Sequence, residues 1–186
     1  MSCKLFSAED LINDEKLLKQ VFSILVTAHY QTKPSDLKLL LDNSSVQLLC
    51  LVQANHVDKS DIVLAVALLL SEGNVEGINT VVSAVKNAQR RVKNQFLPQS
   101  LLTHCGFEQA FNYTYLRIMR IAVHPQLQQH GLGGHLLAAI EQLANKQAID
   151  FIGASFGVNS PLLSFWFKAE MQVTRIGFTR DKASGE

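Results

Sequence analysis

The sequence predicts one domain of the α/β or α+β class, built on a mixed sheet with some parallel pairing. Three observations carry this. Short apolar runs that read as strands, about five in all, are interleaved with segments of helical period. Gly73, Gly77, Gly106 and Pro125 punctuate the chain between these segments. The composition is that of a folded chain: 47% of the 186 residues are apolar and 18% charged. No internal repeat, low-complexity tract or linker divides residues 1–186, so a single domain is expected.

The elements follow in order. Ser7 and Asp10 form a helix-start box, and Leu17, Leu18, Val21, Phe22, Leu25 and Val26 then recur on one stripe, which predicts a helix to about Tyr30. Pro34 suits the first turn of a second helix, Ser35–Leu41. Val46–Gln53 and Ile62–Leu70 read as buried strands joined by a polar hairpin loop. On period alone, Ile62–Leu70 reads equally as a buried helix. A helix over Ile78–Val92 and a short one over Pro98–His104, stopped by Gly106, come next. Tyr115–Val123 is a strand ended by Pro125, which cannot donate to a ladder. A helix over Gly133–Lys146, a strand at Phe151–Phe156, a helix at Pro161–Ala169 and a last strand at Gln172–Thr179 complete the reading.

Composition also excludes. The longest uninterrupted apolar run, Ile62–Leu70, has nine residues, too few for a membrane span, so no membrane partner is expected. No apolar stretch precedes Glu9 and Asp10, so no signal peptide is visible. Three cysteines (Cys3, Cys50 and Cys105), without C-x-x-C spacing, speak for a reducing cytoplasm and against a disulfide framework. No pair of histidines has trustworthy metal-ligand spacing, so no metal is expected. Formal charge is +1, from 17 Lys and Arg against 16 Asp and Glu, and gives no global pull toward nucleic acid.

The chemistry is concentrated in Arg120–Gly134, RIAVHPQLQQHGLGG. A strand and a proline stop lead into Gln128-x-x-Gly131-x-Gly133-Gly134 at the start of a helix. Glycines let backbone N–H groups approach a ligand, and the helix N-terminus favours phosphate. The dinucleotide fingerprint G-x-G-x-x-G and the Gly-Lys-Ser/Thr phosphate loop are both absent. Read from its residues alone, the segment is either an anion site or an ordinary glycine-rich turn.

Gln128-x-x-Gly131-x-Gly133 after a hydrophobic strand resembles the acetyl-CoA signature of the GNAT acyltransferases. That resemblance implies a GNAT-like mixed, mostly antiparallel central sheet with a splayed strand pair and flanking helices. It further implies that Ile121, Ala122 and Val123 line the pantetheine, and that Gln128, Gln129, His130, Gly131, Leu132, Gly133 and Gly134 hold the pyrophosphate. The blocks Ala28–Asp42, Ser71–Gly73, Gln89–Leu101, Arg120–Pro125, Ser155–Gly157 and Leu162–Trp166 narrow it. In this order, over roughly residues 12–186, they resemble the acetyltransferase module of the tRNA(Met) cytidine acetyltransferases. That family acetylates N4 of the wobble cytidine of elongator methionine tRNA, using acetyl-CoA and the hydrolysis of ATP or GTP. The motifs of its helicase-like ATPase module are not found here, so ATP or GTP is expected only through a module absent from this chain. The family continues past Ser184-Gly185-Glu186 into a further strand and a tail, so the last strand is expected to be missing. An open sheet edge would then invite self-association.

Acyl transfer to an amine needs an aligned thioester, a donor to its carbonyl oxygen and a base. The backbone N–H near Val123 is the expected oxyanion donor. Glu72, at the end of a central strand, and then His29 are the candidate bases; their plain alternatives are a solvated turn glutamate and a helix-end histidine. Lys168 matches a family position that helps bind cofactor, or is a surface lysine. Lys86, Arg90, Arg91 and Lys93 form the one dense basic run, either an RNA phosphate contact or a solvated helix face. Arg117 and Arg120 alternate with apolar residues on a strand and face either the acceptor cleft or solvent. Three readings of function remain: an RNA cytidine acetyltransferase module, a GNAT enzyme for a protein or small amine, and a CoA- or RNA-binding module inactive alone.

Overall fold

The nine-residue apolar run becomes the core of the longest strand in the computed structural model, which describes residues 1–27, 40–43, 45–55, 60–75, 77 and 80–177. Strands β1 (Ser2–Phe6), β2 (Val46–Ala54), β3 (Asp61–Gly73), β4 (Thr114–Val123) and β5 (Phe151–Ala154) form one sheet in the order β1-β2-β3-β4-β5. β1 and β2 are antiparallel, with Ser2 opposite Val52 and Phe6 opposite Leu48. β2 and β3 are antiparallel from Val46 opposite Leu70 to Ala54 opposite Asp61. The register slips between Leu51, opposite Ala65, and Val52, opposite Val63, so Leu64 is the extra residue of a β-bulge. The His124 N–H donates to Leu64 O (2.9 Å) and the Asn74 N–H to Tyr113 O (3.1 Å), so β3 and β4 are antiparallel too. At the start of β5 the Asp150 N–H donates to Thr114 O (3.2 Å). Because β4 begins at Thr114, β5 pairs with it only by running in the same direction, which makes the sheet mixed. β5 has four residues and β4 ten, so the C-terminal half of β4 extends past its β5 partner.

The count of five strands agrees with expectation, but the set differs. β1 reads poorly as a strand because four of its five side chains are exposed; its backbone bonds to the edge of β2 make it one. The expected last strand is absent from 172–177, which has no regular structure, and residues 178 and 179 lie outside the described residues.

Helices bounded within the described residues are numbered α1 (Ala8–Asn13), α2 (Glu15–Thr27), α3 (Val82–Lys86), α4 (Phe96–Cys105), α5 (Leu132–Lys146) and α6 (Ser160–Phe167). The box at the first helix forms as read: the Asp10 N–H donates to Ser7 Oγ, and the Ser7 N–H to Asp10 Oδ2 (2.7 Å). The single helix expected from Ser7 to Tyr30 is instead two, because Asp14 takes an extended conformation and its Oδ1 accepts the Leu17 N–H (2.9 Å). His29 and Ser35, the start of the second expected helix, lie outside the described residues; 40–42 is helical.

Of the helix expected over Ile78–Val92, the described residues are α-helical only over Val82–Lys86, and 78 and 79 lie outside the described residues. Ala88 is left-handed (φ 56°), and the side-chain amide of Gln99 accepts the Val92 N–H (2.7 Å) and donates to Val92 O (2.7 Å). These bonds imitate a strand partner and outweigh helix propensity in 87–95. Gly106 caps α4 in the left-handed conformation (φ 69°), as its sequence position predicts.

Packing divides the chain into two compact units, Met1–Leu70 with Ile118–Leu143, and Ser71–Arg117 with Ala144–Glu186. In the first, Leu17, Val21, Ile24 and Leu25 of α2 pack with Leu48, Cys50 and Val52 of β2, Val63, Val66 and Leu68 of β3, and Ala122 of β4. In the second, Val85, Leu102, Ala110 and Phe111 form a smaller core, and Tyr115 is buried with its hydroxyl donating to Ala110 O (2.7 Å). Among the described residues no helix is long and apolar enough to cross a membrane.

Candidate acyl-transfer site

In the first unit, β4 delivers the chain to the glycine turn. His124 closes the strand, and a short 3₁₀ turn, Pro125–Leu127, follows with proline at its start. Gln129 (φ 64°) and Gly131 (φ 79°) are both left-handed, which reverses the chain tightly before α5. The His135 N–H donates to Gly131 O (3.1 Å), the bond that opens the helix. By helix geometry the N–H groups of Leu132, Gly133 and Gly134 have no intrahelical acceptor. A Cβ built at Gly131 or Gly134 meets nothing within 4 Å, so a ligand can approach this backbone. No acidic residue occurs between His124 and Ile140. Free donors, a helix N-terminus, open space and no carboxylate fit the pyrophosphate of a CoA-type cofactor.

The strand end is equally defined. The His124 N–H is taken by Leu64 O, at the bulge. Successive N–H groups of a strand point to alternate edges, so that of Val123 faces the edge away from β3. The Gln128 side chain folds back and donates to Val123 O (3.4 Å), tying the turn to the strand end. Ile121 and Val123 are half-buried, and Ala122 faces the core. His130 Nδ1 bonds Gln128 O (2.7 Å) and His135 Nδ1 contacts Gly131 O (3.2 Å), so both rings brace the turn through one nitrogen.

In the second unit, Glu72 is buried (3% exposed), the one buried charged residue among those described. Its Oε2 accepts the Leu97 N–H (2.6 Å), and its Oε1 accepts from Arg117 Nη1 (3.2 Å). Leu97 lies in the first turn of α4, whose N-cap Gln95 caps nothing with its own side chain. That side chain instead accepts the Gly73 N–H (2.6 Å). The end of β3 and the start of α4 therefore clamp each other reciprocally, with Glu72 as the anionic partner of the helix N-terminus. Glu72 is thus not a solvated turn glutamate, and both its oxygens are occupied by donors. Sequence reading missed Gln95 and Leu97, since neither a backbone amide nor a glutamine at a helix cap marks itself in a sequence.

The basic run does not share one helix face. Lys86 ends α3 and pairs with Glu108. Arg90, Arg91 and Lys93 are exposed in the irregular stretch held by Gln99, and none of them enters an ion pair among the described residues. Lys168 is exposed at the C-cap of α6. Phe156 stacks on Trp166 (5.5 Å), and Phe165 meets Trp166 edge-on (5.1 Å), a packing cluster around a buried tryptophan. All three cysteines are free thiols, and burial pushes the Cys50 thiol up, with a smaller contribution from Cys3. Among the described residues no three His, Cys, Asp or Glu side chains are grouped to hold a metal ion.

A mixed sheet whose fourth strand runs through a glycine turn into a helix with open amides at its head suits an acyl-CoA-type ligand. The family model described as GNAT acetyltransferase 2 matches residues 20–148, and the chain belongs to that family. Over 94% of its length it is 37% identical to the tRNA(Met) cytidine acetyltransferase TmcA of Nitrosococcus halophilus, and over its full length 35% identical to TmcA of Vibrio cholerae. TmcA of Haloarcula marismortui is 36% identical over 97% of the chain. The chain spans only 22%, 25% and 22% of these relatives, respectively. Among solved structures it resembles a ribosomal-protein-alanine N-acetyltransferase from Brucella melitensis (TM-score 0.53, 9% identity, 96% and 98% of the two chains covered). It also resembles the aminoglycoside N-acetyltransferase AAC(6')-Iy in complex with CoA (TM-score 0.52, 10% identity, 97% and 99% covered). At such identities these two likenesses speak for the fold alone.

Proposed function

We propose that residues 1–186 act as one acetyltransferase domain that transfers the acetyl group of acetyl-CoA to N4 of a cytidine in RNA, the wobble cytidine of elongator methionine tRNA. The observation that carries this reading is the glycine turn, with its unpaired amides at the head of α5, in a chain whose whole length resembles TmcA. When bound, acetyl-CoA supplies the activated acetyl thioester. The Gln128–Gly134 backbone holds its pyrophosphate, Ile121–Val123 line the pantetheine, and Lys168 reaches a phosphate. The Val123 N–H, aimed away from β3, stabilises negative charge on the carbonyl oxygen. Cytidine N4 is delocalised into its ring and is a poor nucleophile, so alignment and this donor carry most of the rate. Transfer is direct, because Cys3, Cys50 and Cys105 all lie outside the sequence blocks that form the cleft.

His29 takes precedence over Glu72 as the base, because both carboxylate oxygens of Glu72 already accept hydrogen bonds. Lys86, Arg90, Arg91 and Lys93 meet the RNA backbone. No residue of the domain is assigned to ATP or GTP. A tRNA acceptor and three free thiols fit the cytoplasm. β5 ends the strand order, and pairing of two copies along it is the self-association proposed, read by sedimentation velocity.

The test offers radiolabelled acetyl-CoA together with methionine tRNA, peptides and polyamines. Acetylated cytidine in the digested tRNA supports the reading. Label on peptide or polyamine with none on tRNA overturns it in favour of a protein or small-amine acetyltransferase. Calorimetry with acetyl-CoA checks the cofactor separately, and no heat from folded protein removes both enzymatic readings.

A further inference from the structure

β4 is an apolar strand, so a guanidinium on it requires a reason. Arg117 is 23% exposed in its side chain, and its Nε is buried without a hydrogen-bond partner. Burying such a donor costs stability, and replacing a buried ion pair with apolar residues is often neutral or better. Stability alone is therefore a weak reason for Arg117 at this position. The Arg117 guanidinium lies over the Phe96 ring, 4.5 Å from its centroid, and Phe96 as a residue is 40% exposed. One carboxylate fixes both partners: Glu72 Oε1 takes the guanidinium, and Oε2 takes the amide of Leu97, next to Phe96. Within six residues upstream of Phe96 stand the exposed Arg90, Arg91 and Lys93.

We infer that Phe96 and Arg117 form a nucleobase-stacking platform for single-stranded RNA, held in place by Glu72, with Arg90, Arg91 and Lys93 contacting the flanking phosphates. This rests on, and deepens, the reading of RNA as acceptor. Single strands are bound by aromatic rings and guanidinium planes that stack bases, combined with cations that follow the backbone. An acidic protein would need the cations alone; the exposed ring backed by a fixed cation favours a base. Glu72 acts through Arg117 and Phe96 and is a positioning residue.

The experiment measures binding of a fluorescein-labelled, cytidine-containing single-stranded RNA to the whole chain by anisotropy, over a series of salt concentrations. Phe96→Ala is expected to weaken binding about 5- to 150-fold, the equivalent of one stacked base at ~1–3 kcal/mol, without changing the salt slope. Phe96→Trp retains binding, which separates a stacking role from a folding defect. Arg91→Gln lowers the salt slope by about 0.7. Glu72→Gln weakens binding in the parent but adds nothing to Phe96→Ala. Three results overturn the inference: no RNA binding at low salt, Phe96→Ala within twofold of the parent, or a labelled polyglutamate bound as tightly and with the same dependence on Phe96. Calorimetry with acetyl-CoA on the same proteins keeps the two readings apart. RNA binding that needs Phe96 in a chain that binds no acetyl-CoA leaves the platform standing and removes acetyl transfer.

Discussion

Gly73→Ala is expected to be among the most damaging small substitutions in the second unit. Gly73 sits at φ 87°, and a Cβ there would lie 1.9 Å from Tyr113 O, 2.8 Å from Tyr115 Cδ2 and 3.0 Å from Tyr113 C. The nearest atom belongs to the backbone, so no side-chain rotation relieves the contact. Holding an alanine in the left-handed region costs about 1–2 kcal/mol. Relieving the overlap moves the Tyr113 carbonyl by more than an ångström, which sacrifices its bond from the Asn74 N–H (3.1 Å), about 1 kcal/mol. The sum is ~2–3 kcal/mol before any loss at Gln95 or Glu72, a large share of the 5–15 kcal/mol typical of a domain. Gly77→Ala is the control: its φ is 69°, but nothing lies within 4 Å of the added Cβ, so only the conformational cost of about 1 kcal/mol remains. Urea titration followed by circular dichroism measures both. Equal midpoints for the two variants would show that the backbone contact at Gly73 carries no energy and would refute the reasoning.

Gly131→Glu is expected to lower acetyl-CoA affinity at least tenfold by calorimetry, while Gly131→Ala has a smaller effect. The cause is the left-handed φ of 79° and the added negative charge rather than crowding, because the space beside Gly131 is open. Asp150 accepts from the Thr114 N–H (2.7 Å) and hydroxyl (2.8 Å), and these bonds hold its carboxyl below the usual range. Its folded value is depressed, so its stabilisation is present above the unfolded value and fades as pH falls through the folded one. The urea midpoints of parent and Asp150→Asn should accordingly differ at pH 7 and begin to converge only as pH falls below about 4. The Tyr115 phenol is pushed up to about 12, first by burial and then by Tyr113 and Asp150. Its value is raised, so its stabilisation is present below pH ~10 and is lost as pH rises toward 12, and spectrophotometric titration should find it ionising after exposed tyrosines. Tyr115→Phe removes the bond to Ala110 O and should cost about 1 kcal/mol in the same urea assay.

Elements whose signal is local were legible from sequence. The box at Ser7 and Asp10, the glycine cap at Gly106, the proline stop at Pro125 and the helix after Gly131 all lie where their residues place them. Each depends on bonds within a few residues, so nearby sequence is sufficient. The errors fall where distant groups decide. β1 is a strand because β2 offers an open edge, and 87–95 is not helical because Gln99 bonds Val92 from outside it.

Glu72 marks the same boundary within the candidate site. From sequence it was a carboxylate at the end of a strand, equally a base or a solvated turn. Its neighbours in space are Leu97, 25 residues away, and Arg117, 45 residues away, and no spacing rule predicts either.

By itself the sequence determined the apolar strands, the caps and the glycine turn, since pattern and residue type act over a few positions. Tertiary structure alone decided that both oxygens of Glu72 are already bound, and that Arg90, Arg91 and Lys93 enter no ion pair among the described residues. Burial and hydrogen-bond partners are properties of neighbours in space, and folding brings those neighbours from far along the chain.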